Sequence, residues 1–499
     1  MPETNKETTS AYRSIFKATS LFGGVQVWKI LIEIVKQKFI AILLGPSGMG
    51  ISGLYTSATT LIQGITSMGL SSSAVKNVAE ANGTGDINKI SRIVTVLRRL
   101  VWITGLLGMV AVIALSPWLS KSTFGNYDYT IPFIFLSVTL LFQQLSAGQS
   151  VILQGMRKLK YLAKSGVIGS FCGLIVSVPI YYLFGVKGIV PTLILNSITT
   201  LLLTWYFSRK IKIEKVKVKN KQTFQEGKEM LKMGIVMSLT NILGVGIAYI
   251  IKIFIVRMGG TEEVGLYTAG FAIVNGYVGL IFTAIDMDYY PRLAEVNKDN
   301  DKCRNIINQQ SEISILIITP IIMIFLILAP FVVLLLYTSE FLDIIGFMQL
   351  SMLGMLFKVL SWAISYQFLA KQDIKTYTIT EFLSNIVILL SNILGYYIGG
   401  LEGVGIAFST SVFIYLILVY VVAKNKYQFK FTMSLKKMFS IEFILLLFCF
   451  ILVYFWKSNY MYIPTIILTL ICGIYSFKEL DKRIGLKSIV LSKIKKNHL

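Results

Sequence analysis

The sequence predicts an all-α polytopic membrane protein with about 14 transmembrane helices, built from two six-helix pseudo-repeat lobes and two additional C-terminal helices. Three observations predict this class. Of the 499 residues, 55% are hydrophobic and the mean hydropathy is +0.69, which is untypical of soluble domains. Apolar runs of about 20 residues, long enough to span a bilayer as helices, recur along the whole chain. Short motifs of the first half return in the second half.

The limits of the spans follow from the apolar runs and from the polar residues between them. The predicted domains are an N-terminal lobe over 1–207, a basic linker over 208–228, a C-terminal lobe over 229–423, and a final region over 424–499. The predicted spans are 20–44, 50–73, 91–115, 131–155, 161–184, 186–207, 229–257, 264–287, 306–336, 341–370, 376–397, 400–423, 438–456 and 460–477.

Lys and Arg are concentrated in alternate loops, and this asymmetry predicts the orientation. The formal net charge is +23, from 48 Lys and Arg against 25 Asp and Glu. Basic residues accumulate in connections such as 209–221 and 424–437, whereas 116–130 and 258–263 contain almost none. By the positive-inside rule, the basic loops and both termini are predicted to be cytoplasmic. The positive charge is thus explained by orientation, and nucleic acid is not an expected partner.

Three motifs recur in order and indicate an internal duplication. Segments 1–6 and 7–12 are therefore predicted to be repeats that enter the membrane in the same direction. Transporters commonly bind substrate between such repeats and rock one half against the other. The recurring motifs are GLYT at 53–56 and 265–268, YYxxGxxG at 181–188 and 396–403, and Ala-Glu at 79–80 and 294–295.

The first predicted span carries charged and amide residues on a single helical face: Gln26, Lys29, Glu33, Lys36 and Gln37. Charged groups in a membrane helix normally face the protein interior or a water-filled cavity. We therefore expect this helix to line a wet cavity with a net positive charge. The alternative is a stripe of side chains that reach the membrane interface.

Further basic residues at membrane depth predict an anionic substrate. An interior with several cations and fewer anions suits a phosphate or pyrophosphate, because attraction strengthens where water is partly excluded. Two alternatives stay open: Lys29 could form a structural pair with Glu33, and Arg257 could reach the outer interface. The predicted diphosphate-binding residues are Lys29, Lys38, Lys252, Arg257 and Lys358.

Amide and acidic side chains extend the predicted site. Amides both donate and accept hydrogen bonds, as sugar hydroxyls require, so Gln63, Gln143 and Asn275 are predicted to bind glycan. Bonding between helices is the alternative role of each amide. The predicted coupling or gating residues are Glu33, Asp286, Arg292 and Glu381.

The sequence lacks the motifs of common enzyme classes. The single histidine, His498, is next to the last residue, and the four cysteines form no CxxC pattern. No GxxxxGK[ST] loop is present, so no ATP site is expected. We expect no cofactor and no metal, and we expect a protein that is not an enzyme.

Three stretches carry a family resemblance: LLGPSGMGISGLY at 43–55, KNVAEAN at 76–82 and DYYPRL at 288–293. Over about residues 15–425, the chain resembles the Wzx-type O-antigen translocases. These are lipid-linked oligosaccharide flippases of the multidrug/oligosaccharidyl-lipid/polysaccharide exporter superfamily. The resemblance implies a multi-pass protein of the bacterial inner membrane. It also matches Lys38 to a lysine of the family's first helix, and it places Arg292 in the matching segment after the eighth.

The resemblance implies transport by alternating access. The implied substrate is an undecaprenyl-diphosphate-linked oligosaccharide, an O-antigen or another surface polysaccharide repeat unit, moved from the cytoplasmic to the periplasmic leaflet through a cationic cavity between two lobes. Expected partners are this lipid-linked substrate, membrane lipids, a polysaccharide polymerase and chain-length machinery.

Other functions stay open. Two extra C-terminal helices are also found in lipid II flippases, so a lipid II substrate is an alternative. A multidrug exporter of the same superfamily would need an acidic cavity for cationic drugs. A membrane glycosyltransferase or polymerase would need catalytic groups in a sizeable outer loop. A scaffold would have no reason to bury lysines.

Overall fold

The structure, a computed structural model, describes residues 4–214, 216–456 and 459–484. Within these ranges, the side chains of 4–27, 222, 236, 277–288, 459 and 484 are not described. The described chain is helical nearly throughout and contains no β-strand, so the predicted all-α class is confirmed. The α-helices of this part are α1 (Thr4–Ser67), α2 (Leu70–Thr84), α3 (Ile87–Phe124), α4 (Thr130–Gly155), α5 (Leu159–Phe184), α6 (Ile189–Arg209), α7 (Asn220–Glu295), α8 (Asn300–Leu336), α9 (Ile344–Ala370), α10 (Ile374–Tyr427), α11 (Met433–Phe455) and α12 (Tyr462–Ile484).

Three long helices are broken at glycines. The backbone leaves the helical conformation at Gly45 in α1 (φ 61°), at Gly260 in α7 (φ 84°) and at Gly400 in α10 (φ 55°). Positive φ is readily adopted by glycine and is costly for residues with a Cβ atom. The breaks at Gly45 and Gly260 fall in predicted short connections, and Gly400 is the first residue of the predicted span 400–423. The chain therefore turns within one or two residues, too few for a separate loop.

The protein is a multi-pass membrane protein. Among the described residues, nine helical stretches are long and apolar enough to cross a membrane. Two of these, Leu159–Arg209 and Ile374–Tyr427, each contain two of the predicted spans. The count of 14 spans and their arrangement in two lobes stay predictions.

The chain forms two compact units. One comprises Met1–Gly265 with Leu336–Thr338, and the other comprises Leu266–Leu335 with Ser339–Leu499. In the first unit, Tyr55 of α1 packs against Phe133 of α4, with ring centroids 5.2 Å apart. In the second, α9 is buried along most of its length, as expected for a helix that is apolar on all sides. The domain boundaries that the sequence predicts, 1–207, 208–228, 229–423 and 424–499, stay a prediction.

Unusual backbone conformations recur 215 residues apart. Gly185 (φ 53°, ψ −133°) matches Gly400 (φ 55°, ψ −140°). Arg157 and Gln372 both have a left-handed backbone, with φ of 54° and 57°, two residues after the ends of α4 and α9. Each helix end also has a backbone hydrogen bond of 2.8 Å that spans five residues. The N–H of Lys158 donates to the carbonyl of Leu153, and the N–H of Asp373 donates to the carbonyl of Phe368. This repetition of local geometry supports the duplication that the sequence predicts.

Candidate functional site

The charged face of α1 has a defined ion pair. The Glu33 carboxylate accepts a hydrogen bond from the Gln37 amide at 2.9 Å and lies 3.5 Å from the Lys36 ammonium. Among the described residues, the acid is thus paired with Lys36, whereas the sequence suggested Lys29 as its alternative partner. Because one acid faces several lysines, this part of α1 keeps the predicted net positive charge.

Lys29 lies against a glycine of α5. A Cβ atom built at Gly166 would collide with the end of the half-buried Lys29 side chain. The missing side chain therefore provides the space that the lysine occupies between α1 and α5. The predicted role of Lys29 in binding a diphosphate stays a prediction.

Lys38 contacts the end of another helix. Its ammonium group donates a hydrogen bond to the backbone carbonyl of Tyr337, which directly follows α8. Carbonyl groups at a helix C-terminus lack intrahelical partners, and the helix dipole favours a cation there. This contact lies within the first compact unit, because that unit includes 336–338.

Lys252 and Arg257, five residues apart on α7, bind different partners. The half-buried Lys252 ammonium lies 2.9 Å from the hydroxyl of Ser57 in α1. The exposed Arg257 guanidinium donates to the carbonyls of Lys121 and Ser122, at the last turn of α3, with 2.9 Å to the latter. Arg257 therefore caps a helix. These contacts account for Arg257 without a diphosphate. Its role in binding a diphosphate stays a prediction.

Two glycines, Gly50 of the LLGPSGMGISGLY stretch and Gly265 of the second GLYT motif, allow very close packing of α1 and α7. A Cβ atom at Gly50 would overlap the carbonyl of Thr261, and one at Gly265 would overlap the carbonyl of Pro46. Gly50 and Gly265 are themselves 215 residues apart. The two predicted repeats thus each place a glycine against the backbone of the other, as small residues do at interfaces between membrane helices.

Lys358 and Asn275 meet in the second unit. The Lys358 ammonium on α9 lies 3.2 Å from the amide oxygen of Asn275 on α7. It also lies 5.8 Å from the ring centroid of Phe408, within the range of a cation–π interaction. The sequence assigned the lysine to the diphosphate and the amide to the glycan. The structure brings the two together, so one ligand could contact both.

Amides of the first unit line a polar cavity of about 200 Å³. Gln63 of α1, Gln144 of α4 and Asn241 of α7 surround it. Gln144 is buried and donates to Thr104 at 2.9 Å, whereas the predicted glycan residue Gln143 is exposed. Sequence reasoning did not single out Asn241. The duplication could have found it, because Asn241 lies 215 residues after Gln26 of the charged face.

The remaining predicted residues are separate from these groups. Glu381 of α10 accepts a hydrogen bond from the Tyr415 hydroxyl at 2.5 Å. Arg292 is exposed in the last turn of α7. The side chain of Asp286 lies outside the described residues. Of the predicted site residues with described side chains, seven lie in the first unit and four in the second. Those of the first unit are Lys29, Glu33, Lys38, Gln63, Gln143, Lys252 and Arg257, and those of the second are Asn275, Arg292, Lys358 and Glu381.

A comparison with protein families matches residues 39–346 to a family described as polysaccharide biosynthesis protein. Among curated proteins, the lipid III flippase of Escherichia coli (strain K12) is 21% identical over 380 residues, which cover 74% of this chain and 88% of that protein. The Shigella flexneri lipid III flippase matches to the same extent.

Solved structures share the fold. An inward-facing multidrug transporter of the MATE family matches with a TM-score of 0.69 and 17% identity, over 82% of this chain and 96% of that chain. The lipid II flippase MurJ, in an inward closed conformation, matches with a TM-score of 0.69 and 14% identity, over 94% of this chain and 99% of that chain. These matches show that the chain has the fold of these transporters, as the sequence resemblance predicts.

Proposed function

Because the chain belongs to the polysaccharide biosynthesis protein family, we propose that it is a flippase of the bacterial inner membrane. Its substrate is an undecaprenyl-diphosphate-linked oligosaccharide, an O-antigen or another surface polysaccharide repeat unit. The protein moves this lipid from the cytoplasmic to the periplasmic leaflet. The similarity to lipid III and lipid II flippases over most of the chain supports a lipid-linked substrate.

The observation that carries the proposal is the environment of Lys252. Its ammonium group is half-buried in a helix at membrane depth and binds the neutral hydroxyl of Ser57. It forms no ion pair with an acid among the described residues, so its charge is not neutralised there. An intramembrane charge of this kind is expensive and normally serves function. A diphosphate would supply the missing negative charge.

The substrate headgroup is recognised by two chemistries. Lys29, Lys38, Lys252 and Lys358 bind the diphosphate, since ammonium groups attract phosphate oxygens strongly where water is partly excluded. Gln63 and Asn275 hold the glycan, because amides match the donors and acceptors of sugar hydroxyls. The lipid tail stays in the bilayer.

Transport proceeds by alternating access. Closing the cytoplasmic side of the cavity opens its periplasmic side, as one repeat rocks against the other. Outward movement of an anion is favoured by an inside-negative potential, worth roughly 2.3 kcal/mol per charge per 100 mV. Glu33 and Glu381 are the candidates for coupling to protons or sodium.

Lipid II is a second candidate substrate. The match with the lipid II flippase covers 94% of this chain, whereas the match with the inward-facing multidrug transporter covers 82%. The longer match favours a flippase that has additional helices beyond the two repeats. Both substrates carry a diphosphate on a polyprenyl tail, so the same lysines would serve either one.

A transport assay in liposomes tests the proposal. The purified protein is reconstituted with fluorescent undecaprenyl-diphosphate-linked oligosaccharide, and movement between leaflets is followed by quenching from outside. We expect flipping above that of protein-free liposomes, faster with the oligosaccharide lipid than with lipid II. Faster flipping of lipid II would instead identify lipid II as the substrate. Folded protein that flips neither lipid would reject the function.

A further inference from the structure

The first compact unit contains a groove that the proposed transport does not use. Its volume is about 490 Å³, within the roughly 300–1,000 Å³ of small-molecule sites. It lies among α3, α4 and α6, which each contribute residues at helical spacing from one face. Trp102, Phe142, Leu145, Leu201 and Leu202 make most of its wall apolar, and Arg98 and Arg209 are its charged residues.

The two arginines have no acidic partner in the described part of the chain. Arg98 forms no hydrogen bond and no ion pair there, and Arg209 forms no ion pair. Both line the same cavity. Two cations facing one cavity without a counter-ion favour an anionic ligand. An arginine guanidinium binds phosphate oxygens with two parallel hydrogen bonds.

The lack of a partner is a property of Arg98 and not of every arginine in α3. Arg92 forms an ion pair with Glu226 at 3.0 Å. Arg99 donates to the Thr223 hydroxyl at 2.7 Å and to the carbonyl of Val218 at 3.0 Å. Both therefore hold the linker and the start of α7. Arg98 shares its face of α3 with Val101 and Trp102, which line the groove.

The charges occupy one end of the groove. Arg209 is the last residue of α6 and begins the basic stretch that is predicted to be cytoplasmic, and its guanidinium stacks 4.1 Å from the centroid of Trp205. Tryptophan is typical of the level of lipid headgroups. From Leu201 to Arg209, the helix rises by about 12 Å. The site thus has an apolar channel and a cationic end, which match the acyl chain and the phosphate of a lipid.

We propose that this groove binds an anionic glycerophospholipid of the cytoplasmic leaflet. The phosphate lies between Arg98 and Arg209, and one acyl chain lies along the apolar faces of α3, α4 and α6. The cytoplasmic leaflet is rich in anionic lipid, which basic residues at the membrane surface attract. The site is separate from the lysines of the proposed transport site, and its occupancy does not depend on flipping.

Binding of phosphatidylglycerol and phosphatidylcholine to the purified full-length protein tests the proposal, with Kd measured by native mass spectrometry in detergent. We expect the wild type to bind phosphatidylglycerol more tightly. Arg98→Gln/Arg209→Gln should raise its Kd by about tenfold or more. The matched control, Lys158→Gln/Lys160→Gln, removes two exposed charges from the start of α5, on the same predicted side, and should change Kd by less than about twofold.

Leu202→Trp keeps both arginines and narrows the apolar channel, so it should also weaken phosphatidylglycerol binding. This variant tests the groove independently of whether Arg98→Gln/Arg209→Gln folds. Equal affinity for the two lipids, or unchanged affinity in both groove variants, would overturn the proposal. Displacement of phosphatidylglycerol by undecaprenyl diphosphate at lower concentration, dependent on the same arginines, would also overturn it, because the occupant would then be the carrier lipid.

Discussion

The ammonium group of Lys252 lies 2.9 Å from the hydroxyl of Ser57 and joins the first predicted helix of the second repeat to the second predicted helix of the first. The partner is neutral, so the contact satisfies one hydrogen-bond donor of the lysine but does not neutralise its positive charge. A structural lysine at this depth would be expected to pair with an acid, because a paired charge costs less in a low-dielectric environment. Variants of Lys252 and Ser57 can therefore separate the effect of the charge on the flipping rate from the effect of the hydrogen bond.

Replacing Lys252 with Met should lower the flipping rate in liposomes by about tenfold or more, because the positive charge that attracts the diphosphate is lost. Ser57→Ala removes only the neutral partner and should change the rate by less than about threefold. The measurement is the initial rate with fluorescent undecaprenyl-diphosphate-linked oligosaccharide. A Lys252→Met protein that works at the wild-type rate would remove this lysine from the site.

Lys29 and Lys358 are predicted to be required for transport. The double variant Lys29→Ala/Lys358→Ala should abolish surface polysaccharide in a strain that depends on it, while the protein stays in the membrane fraction. The physical reason is the loss of two cations that would hold the diphosphate. Lys187→Ala, at an exposed lysine of the short turn Gly185–Gly188 between α5 and α6, is the control and should be silent. Normal polysaccharide from the double variant would reject the site assignment.

The glycine contacts between α1 and α7 predict a large effect on stability. Gly50→Ala or Gly265→Ala would drive a Cβ atom into the carbonyl of Thr261 or Pro46, and backbone cannot move aside as a flexible side chain can. Overpacking of this kind costs about 1–3 kcal/mol. The thermal unfolding midpoint in detergent should therefore fall. Gly83→Ala in α2, where a Cβ atom meets nothing within 4 Å, should leave the midpoint unchanged or raise it.

The sequence predicts the helices better than it predicts the contacts of the site. Apolar runs and short glycine-containing connections placed the breaks near Gly45, Gly260 and Gly400, because hydrophobicity and backbone freedom are local properties. The partner of a lysine is set by packing between distant segments. Helical spacing could therefore place Lys38 on a face of α1, but it could not reveal the carbonyl of Tyr337.

The same limit applies to neighbouring residues of one helix. Arg98 and Arg99 are equivalent in the sequence, as basic residues near the start of a predicted span. The structure separates them, because Arg99 binds Thr223 and Arg98 faces an apolar groove. The difference depends on the path of the linker. No periodicity of α3 contains that information.

Asp373, which caps α10 outside the membrane-spanning segments, predicts a dependence of stability on pH. Burial alone would raise the pKa of this carboxyl, but hydrogen bonds from Lys426, Tyr427 and Thr376 outweigh it and hold the pKa well below its ordinary value. A carboxyl whose pKa is depressed on folding stabilises the protein above the unfolded-state pKa of about 3.9, and this stabilisation is lost as pH falls towards the folded-state pKa.

Asp373→Asn should therefore lower the free energy of unfolding by roughly 1–2 kcal/mol at neutral pH, and the difference from wild type should shrink as the pH falls below about 4. Chemical unfolding followed from pH 7 to pH 3 measures it. Asp301→Asn is the matched control, since Asp301 is 78% exposed and its ion pair with Arg304 at 3.0 Å is at the surface. A difference that does not change with pH would contradict the role assigned to the charge.

Arg257 provides a test that separates helix capping from substrate binding. Its guanidinium donates to carbonyl groups of Lys121 and Ser122, in the last turn of α3, where those groups lack partners within the helix. Arg257→Gln removes the charge and most of these hydrogen bonds. We expect the free energy of unfolding to fall by about 0.5–1 kcal/mol, with little change in the apparent affinity for the lipid-linked oligosaccharide. Thermal unfolding and the substrate dependence of flipping, measured on the same preparation, distinguish the two roles. A variant of unchanged stability whose apparent affinity falls as far as that of Lys252→Met would instead assign Arg257 to the diphosphate.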